Sequence, residues 1–571
     1  MTAAARGRTA GLAIVLAAWL MAPPVAAAPS DGSARATDGQ TGLVRESRLP
    51  EIGGVVGAAS LMLLSLGAAR RTGPRWARLP QGQLARLRTQ HAAASAGMGW
   101  RLAPWLVVAV FGLAEVLLIA ASRGGVTIDE GLYIAAGLRT LGGHGLSDGY
   151  LTWFSGSLLW PAMAGVGYEL SGLEGARLMA LLSVVVAMIV TVKATGNLFG
   201  QRARFFAALL FATNGPVLML AHLAVYDALA IAGVATSFWC ITELTKRDHR
   251  AWLLAAALSL SLGVLAKYPT LFFAGPTLAA LLVLLRRDRA VTDLALFGFV
   301  FAAVPMILFL SEREQLAMLF TNNLALQTES FGASERTVAY AQAYFTAVPA
   351  VLALAGWLVL PGRRLLASVL ASGAAGPVAY HLLSQNGVSD HKHAVYGLVF
   401  AAPLGGVALA GAFRDWRRRV AMVPALAALA FLGVAQMQRL DEGSPDLRPS
   451  VEYLSANMKP GEELLINNSW PFVPYLYEQG VLDSPWDVYD VYRVRSGQAR
   501  GGVCRFDWFV DAPGGSSWSA RIRRQARRCG TFREVFIQPE PLVGLSSDRL
   551  DFIHYTGYAR IWKNVHPRRS G

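Results

Sequence analysis

Apolar residues along this chain come in blocks about as long as a hydrocarbon crossing, separated by short polar or basic stretches. A helix needs about 20 mostly apolar residues to span the roughly 30 Å of a bilayer core. Twelve blocks fit, near 52–69, 103–121, 176–195, 205–221, 228–244, 251–266, 270–285, 293–310, 345–360, 365–383, 394–411 and 420–437. From about Gln438 to Gly571 the blocks stop. There "EELLINN", "RFDWFVD" and "REVFIQ" read as short strands, and "SARIRRQARRC" reads as a helix between them. The expected fold is therefore mainly α: a polytopic membrane protein with about 12 transmembrane helices plus a small C-terminal α/β domain. The expected divisions are 1–28, 29–102, 103–437 and 438–571.

The first division, "MTAAARGRTAGLAIVLAAWLMAPPVAAAPS", has arginines, an apolar stretch and small residues before a polar segment. Those are the parts of a secretory signal, with an uncleaved signal anchor as the competing reading. Either one leaves the polar segment near 30–51 outside. The loops 70–102, 196–204, 245–250, 286–292, 361–364 and 412–419 then lie inside, and they carry most of the loop Lys and Arg, including "RRTGPRWARLPQGQLARLR" and "RDWRRR". Basic residues of short loops orient membrane proteins in this sense. The C-terminal part is thereby expected outside, in the periplasm of a cell with an inner membrane.

Composition supports the picture. Hydrophobic residues make up 54% of the 571 and charged residues 16%, where a soluble domain carries about 25% charged. The net charge of +15 would suggest nucleic acid in a soluble protein; here it follows from the loop asymmetry, and no nucleic-acid partner is expected. The basic stretch 70–102 suits anionic lipid head groups. Of three cysteines, Cys240 lies in an apolar block, while Cys504 and Cys529 lie in the polar C-terminal part. If that part is outside, those two are candidates for a disulfide.

Sidedness then sorts the ionisable residues. Asp129 and Glu130, in "GGVTIDEGLYIAAGL", fall in the first large outside loop, near 122–175. Asp227, in "AHLAVYDALAIAG", and Lys267, in "GVLAKYPTLFF", fall at later outside turns, and His391, Lys392 and His393, in "SDHKHAVYG", at another. Charges beside hydrocarbon are expensive and persist where they meet a partner, a substrate or water. A carboxylate can take a proton from a hydroxyl, and a cation can neutralise a departing phosphate. Each residue also has a plainer reading. Asp129 and Glu130 suit the first turn of a loop helix, Asp227 an N-cap, and Lys267 a snorkelling helix end. Two histidines two residues apart suit a solvated loop. Trp105, Trp153 and Trp160 read as interface anchors, and "WFSGSLLWPAMAGVGYEL" as a helix lying along the surface.

The order of these features resembles the GT-C glycosyltransferases: a basic loop, a transmembrane helix, an outside "DE", a second Asp in "YDALA", then "LAKYP". The branch it looks like holds the bacterial relatives of dolichyl-phosphate-mannose protein mannosyltransferases and of the lipid A aminoarabinose transferase. "GARLMALLSVVVA", with Arg177 at its outer end, also looks like that branch. The resemblance covers about 103–411. It implies a polyprenyl-phosphate-linked sugar donor, a hydroxylated acceptor (protein, lipid or envelope glycan), and an inverting displacement at the periplasmic face. Asp129 would be the base, Glu130 its neighbour that orients the acceptor or helps hold a cation, and Asp227 the second acid near the donor. Lys267 would neutralise the donor phosphate, helped by Arg177 or Lys392, with His391 and His393 as accessory groups. Some members use a divalent metal, but no tight ligand set stands out here. The chain departs from the family in its N-terminal addition and in having "HKHAVY" where an arginine-tyrosine pair often stands.

Two rivals from other classes remain at this stage. A secondary transporter would place charges near the midplane and show related halves; no internal repeat is visible. A non-catalytic scaffold would work through its C-terminal part alone. The absence of a phosphate-binding loop argues against an ATP-driven pump.

Overall fold

A computed structural model describes residues 98–567 except 122–124, 144–155, 247–249, 285–289, 312, 314–334, 385–389, 442–445, 468, 486–487, 490–501, 513–516, 540–541 and 546–553. The expected signal, the block at 52–69, nearly all of the basic stretch 70–102 and Trp153 lie outside the described residues.

Helices run in sequence order as α1 (Met98–Ala121), α2 (Ile128–Leu141), α3 (Leu159–Phe199), α4 (Gln201–Ala212), α5 (Gly215–His222), α6 (Tyr226–Leu244) and α7 (Arg250–Ala266). After a 3-10 turn at Tyr268–Phe273 come α8 (Ala274–Leu284), α9 (Ala290–Ser311), α10 (Glu335–Val359), α11 (Arg364–Ser384), α12 (Asp390–Ala412) and α13 (Trp416–Asp441). Every apolar block expected from 103 onward falls on these helices.

Five helices among the described residues are long and apolar enough to cross a membrane, or seven if each of two bent pairs is one span. The bends are 65° between α4 and α5 and 95° between α10 and α11. The count of twelve expected from the sequence takes α10 and α11 as two spans, and it also needs three shorter apolar helices, near Arg250–Ala266, Tyr268–Leu284 and Val291–Ile307, and the N-terminal block. The chain is an integral membrane protein. On α1, Leu106, Leu113 and Leu117 are exposed while Val108, Phe111 and Ile119 are buried. Both faces are apolar, so one packs on the bundle and the other meets lipid.

The stretch expected as a surface helix is helical from Leu159. Residues from Leu159 onward form the first part of α3 and pack on α2. Helical backbone is interrupted at Ser171 and Gly172, where Gly172 takes φ +60°, a conformation costly for a side-chain-bearing residue. Trp160 is a core residue rather than an interface anchor: it is fully buried and its Nε1 donates to the Ala224 carbonyl at 3.3 Å. An indole is buried readily when its one donor finds an acceptor.

Beyond α13 the chain forms α14 (Arg448–Asn457), β1 (Leu464–Ile466), α15 (Val473–Glu478), β2 (Val488–Tyr489), β3 (Trp508–Asp511), α16 (Ser517–Cys529), β4 (Phe532–Ile537), β5 (Leu542–Leu545), β6 (His554–Gly557) and β7 (Arg560–Asn564). One sheet has the order β2-β1-β3-β7-β4, with β1 parallel to β2 and β3 and with β7 antiparallel to β3 and β4. β5 and β6 pair separately. Strand alternation gives the sheet two apolar faces. Leu464, Ile466, Val510 and Ile561 join the core shared with the membrane helices. Leu465 and Phe509 pack with Ile522 and Ala526 of α16. Cys504, in a 3-10 turn, is disulfide-bonded to Cys529 at the end of α16.

Candidate active site

The site lies where one end of the bundle meets α2. Thr127 caps α2 with a capping box: its hydroxyl accepts from the Glu130 N–H at 3.2 Å, and the Glu130 carboxylate accepts from the Thr127 N–H at 3.0 Å. The spacing Thr-x-x-Glu in "TIDE" is the sequence form of that device. The two adjacent acids therefore divide. Glu130 turns inward, fully buried, and also accepts from Arg177 Nε at 2.8 Å, Arg177 Nη2 at 3.0 Å and the Ala224 N–H at 2.9 Å. Asp129, on the other side of the turn, forms an ion pair with Lys392.

Glu130 and Arg177 are thus engaged with each other in a buried ion pair. They hold each other and, through Arg177 to the Gly125 carbonyl at 3.0 Å and Ala224 to Glu130, tie α2, α3 and the α5–α6 connection together. A bidentate guanidinium-carboxylate pair is suited to such fixed geometry. Burial works against ionisation of Glu130, but Arg177 and the backbone donors more than offset it and hold the carboxyl below its ordinary range.

Asp227 sits in the first turn of α6, whose N-cap is Val225, so it is not the cap. Its Oδ1 accepts from Lys267 Nζ at 2.7 Å and from the Tyr396 hydroxyl at 3.3 Å. Its Oδ2 is buried with no hydrogen-bond partner among the described residues. Lys267 does not snorkel: it is 3% exposed, its Nζ lies 4.9 Å from the Tyr226 ring centroid, and it also bonds His393 Nε2 at 2.9 Å. His393 Nδ1 in turn lies 2.9 Å from His381 Nε2. The His391 ring lies 6.0 Å from that of Phe345.

Asp129, Asp227, Lys267, Lys392 and His393, spread over 265 positions of sequence from 129 to 393, are thus joined into two neighbouring charge pairs. Burial raises the cost of an ionised Asp129, but Lys392 outweighs it and keeps that carboxyl below its usual range. Two carboxylates are balanced by two ammonium groups, so the two pairs carry no net charge. Each acid already holds a lysine, and among the described residues no group of three or more His, Cys, Asp or Glu side chains is disposed to hold a metal ion.

Sequence reasoning missed His381, Tyr396, and a buried pair of Glu115 on α1 with His222 at the end of α5, 3.2 Å apart. Glu115 was visible as a lone acid inside an apolar block, a reliable flag for a partnered charge. Nothing in the sequence marks His381.

A roof covers α2. The segment before α15 packs so closely that a Cβ on Gly131 would lie 2.0 Å from the Trp470 carbonyl oxygen. Nearby the Tyr168 hydroxyl donates to the Pro474 carbonyl at 2.8 Å. The C-terminal sheet region is therefore in direct contact with the helix that carries Asp129.

Residues 157–311 match the family model described as dolichyl-phosphate-mannose-protein mannosyltransferase. The fold matches ArnT from Cupriavidus metallidurans over 82% of this chain and 99% of that one, at 16% identity, with TM-scores of 0.52 for the apo state and 0.53 for the undecaprenyl phosphate complex. This chain has the GT-C fold. The arabinofuranosyltransferase AftD from Mycobacteria aligns over 81% of this chain and 40% of that one, at 16% identity and a TM-score of 0.47. No curated protein matches the sequence. The likeness read from "DE", "YDALA" and "LAKYP" is borne out at the level of the GT-C fold.

Proposed function

We propose that the protein is a membrane glycosyltransferase that moves a sugar from a polyprenyl-phosphate-linked donor to a hydroxylated acceptor at the periplasmic face of the inner membrane. The observation that carries this reading is the meeting of Asp129–Lys392 with Asp227–Lys267 at one end of an apolar bundle. The undecaprenyl phosphate held by ArnT supports the donor class. The Cys504–Cys529 disulfide supports an oxidising compartment for the C-terminal region.

In this mechanism the donor phosphate enters between Lys267 and Lys392. Lys392 transfers its charge from Asp129 to the phosphate, and Asp129 is released to act as base. The acceptor oxygen attacks the anomeric carbon from the face opposite the phosphate while its proton passes to Asp129. The carbon–oxygen bond to phosphate breaks, and the electron pair leaves with the phosphate, whose growing charge the two lysines stabilise. The configuration inverts. Asp227 Oδ2 accepts a hydroxyl of the donor sugar.

The test is transfer by the purified protein from a panel of polyprenyl-phosphate sugars, with mass spectrometry of envelope glycans from cells with and without the gene identifying product. Asp129→Asn should lower kcat by about 10²–10⁴-fold, the usual worth of a positioned base. Unchanged transfer in that variant would remove Asp129 from the mechanism.

A further inference from the structure

Lys267 is held from a side that the transfer step itself does not use. An ammonium has three hydrogens to give and no lone pair to accept with. Two of those hydrogens go to Asp227 Oδ1 at 2.7 Å and His393 Nε2 at 2.9 Å. His393 Nε2 must therefore be the acceptor, which leaves the proton of a neutral His393 on Nδ1. Nδ1 faces His381 Nε2 at 2.9 Å, so His381 must accept there and carry its own proton on Nδ1. His381 is fully buried, and it comes from α11, whereas His393 comes from α12. The two rings lie 5.0 Å apart and are inclined by 31°.

We propose that His381 and His393 form a tautomer-locked strut that aims the Lys267 ammonium, leaving its third N–H for the phosphate, with His381 as a positioning residue. This rests on the reading of Lys267 as the phosphate contact. The chain has one direction: Lys267 gives to His393, and His393 gives to His381. Adding a proton to either imidazole removes an acceptor and breaks it. Facing His393 are Lys267 from the turn after α7, His381 and Tyr380 from α11, Tyr396, His391 and Lys392 from α12, and Asp227 from α6, which bonds Lys267 and Tyr396. Cations outnumber carboxylates around the ring, and a neutral imidazole is the form that fits among them.

The geometry also separates His381 from a space-filling role. His381→Gln places an amide oxygen where Nε2 stands and preserves an acceptor for His393. His381→Leu fills the same space and leaves the His393 Nδ1–H buried without one. The full-length protein in detergent, labelled with 15N at histidine, is read by NMR, with His393→Gln assigning the His393 signals by difference. The expected result is a protonated Nδ1 and an unprotonated Nε2 on His393 near neutral pH. Binding of undecaprenyl phosphate is measured in parallel. Leu should weaken it by about tenfold, as expected for a buried donor deprived of its acceptor, and Gln by less than twofold. A His393 protonated on Nε2, or equal affinities for the Leu variant and wild type, would overturn the strut. Failure of the wild-type protein to bind the lipid would instead count against the donor reading, and the tautomer would still decide the strut.

Discussion

At the scale of single residues, the pair Asp129–Lys392 carries a conflict that defines how the site should respond to pH. A base must be ionised and basic, yet Lys392 holds Asp129 below its ordinary range against the opposing effect of burial. The free protein should thus keep Asp129 charged down to unusually low pH, and the acid limb of kcat/KM should lie below the ordinary carboxylate range. Lys392→Met removes the stabilising cation and leaves burial unopposed by it. The Asp129 carboxyl then rises, and the acid limb should move to higher pH, together with a raised KM for the lipid donor. A limb that stays in place would mean that Asp129 is not the titrating base. Glu130 gives the structural counterpart. Its folded-state value is depressed, so its contribution to stability is full above the unfolded value and is lost as pH falls through the folded one. Glu130→Ala leaves Arg177 buried without its carboxylate, at a cost of about 3–5 kcal/mol. Thermal unfolding in detergent should show a large fall in midpoint at neutral pH that shrinks in acid.

Helices and strands were legible from their apolar blocks because a span in hydrocarbon must satisfy all its backbone groups internally. Blocks such as 228–244 and 251–266 differ from α6 and α7 by only a residue or two at each end. The site was legible in part for a related reason: Asp129, Asp227, Lys267 and Lys392 are charges that a membrane protein keeps only at a cost. What they touch was not legible. Nothing in "TIDE" tells which acid turns inward, since that depends on Arg177 lying across from it on α3, 47 positions away. The break at Ser171–Gly172 separates the helical part of 153–170 from the rest of α3, and nothing in those residues tells that this part packs on α2. α2 itself is the element whose placement matters most. A methyl group on Gly131 would need to displace the Trp470 carbonyl from 2.0 Å, and backbone cannot swing aside as a long side chain can. Gly131→Ala should shift α2 and with it Asp129, lowering transfer by about 10–100-fold, in line with the effect of an ångström of misplacement. Stability should fall by about 1–3 kcal/mol as for other overpacked sites. Wild-type transfer rates in Gly131→Ala would show that the roof does not position the acid.

Across the whole molecule, the C-terminal sheet presents two faces with different duties. One face, with Leu464, Ile466 and Val510, shares the core of the membrane helices, and the Trp470 segment reaches from that side onto Gly131. The other face carries α16, and the disulfide ties α16 to the turn before β3 across 25 residues of chain. Damage to the two faces should therefore have separable consequences. Closing a loop of that length restricts the unfolded chain by about 3 kcal/mol in the chain-entropy account. Replacing both Cys504 and Cys529 with serine should lower the stability of the C-terminal region by about 2–4 kcal/mol, seen as a lower unfolding midpoint that reducing agent no longer changes. Below that midpoint kcat should stay within about twofold of wild type, because the linkage touches neither Trp470 nor α2. Gly131→Ala should show the reverse order of severity, with activity lost before stability. Both variants assayed together, for transfer at 25 °C and for unfolding on heating, make the comparison. If loss of the disulfide lowered kcat as strongly as Gly131→Ala in protein that remains folded, the two faces would be coupled and α16 would belong to the machinery that holds Asp129 in place.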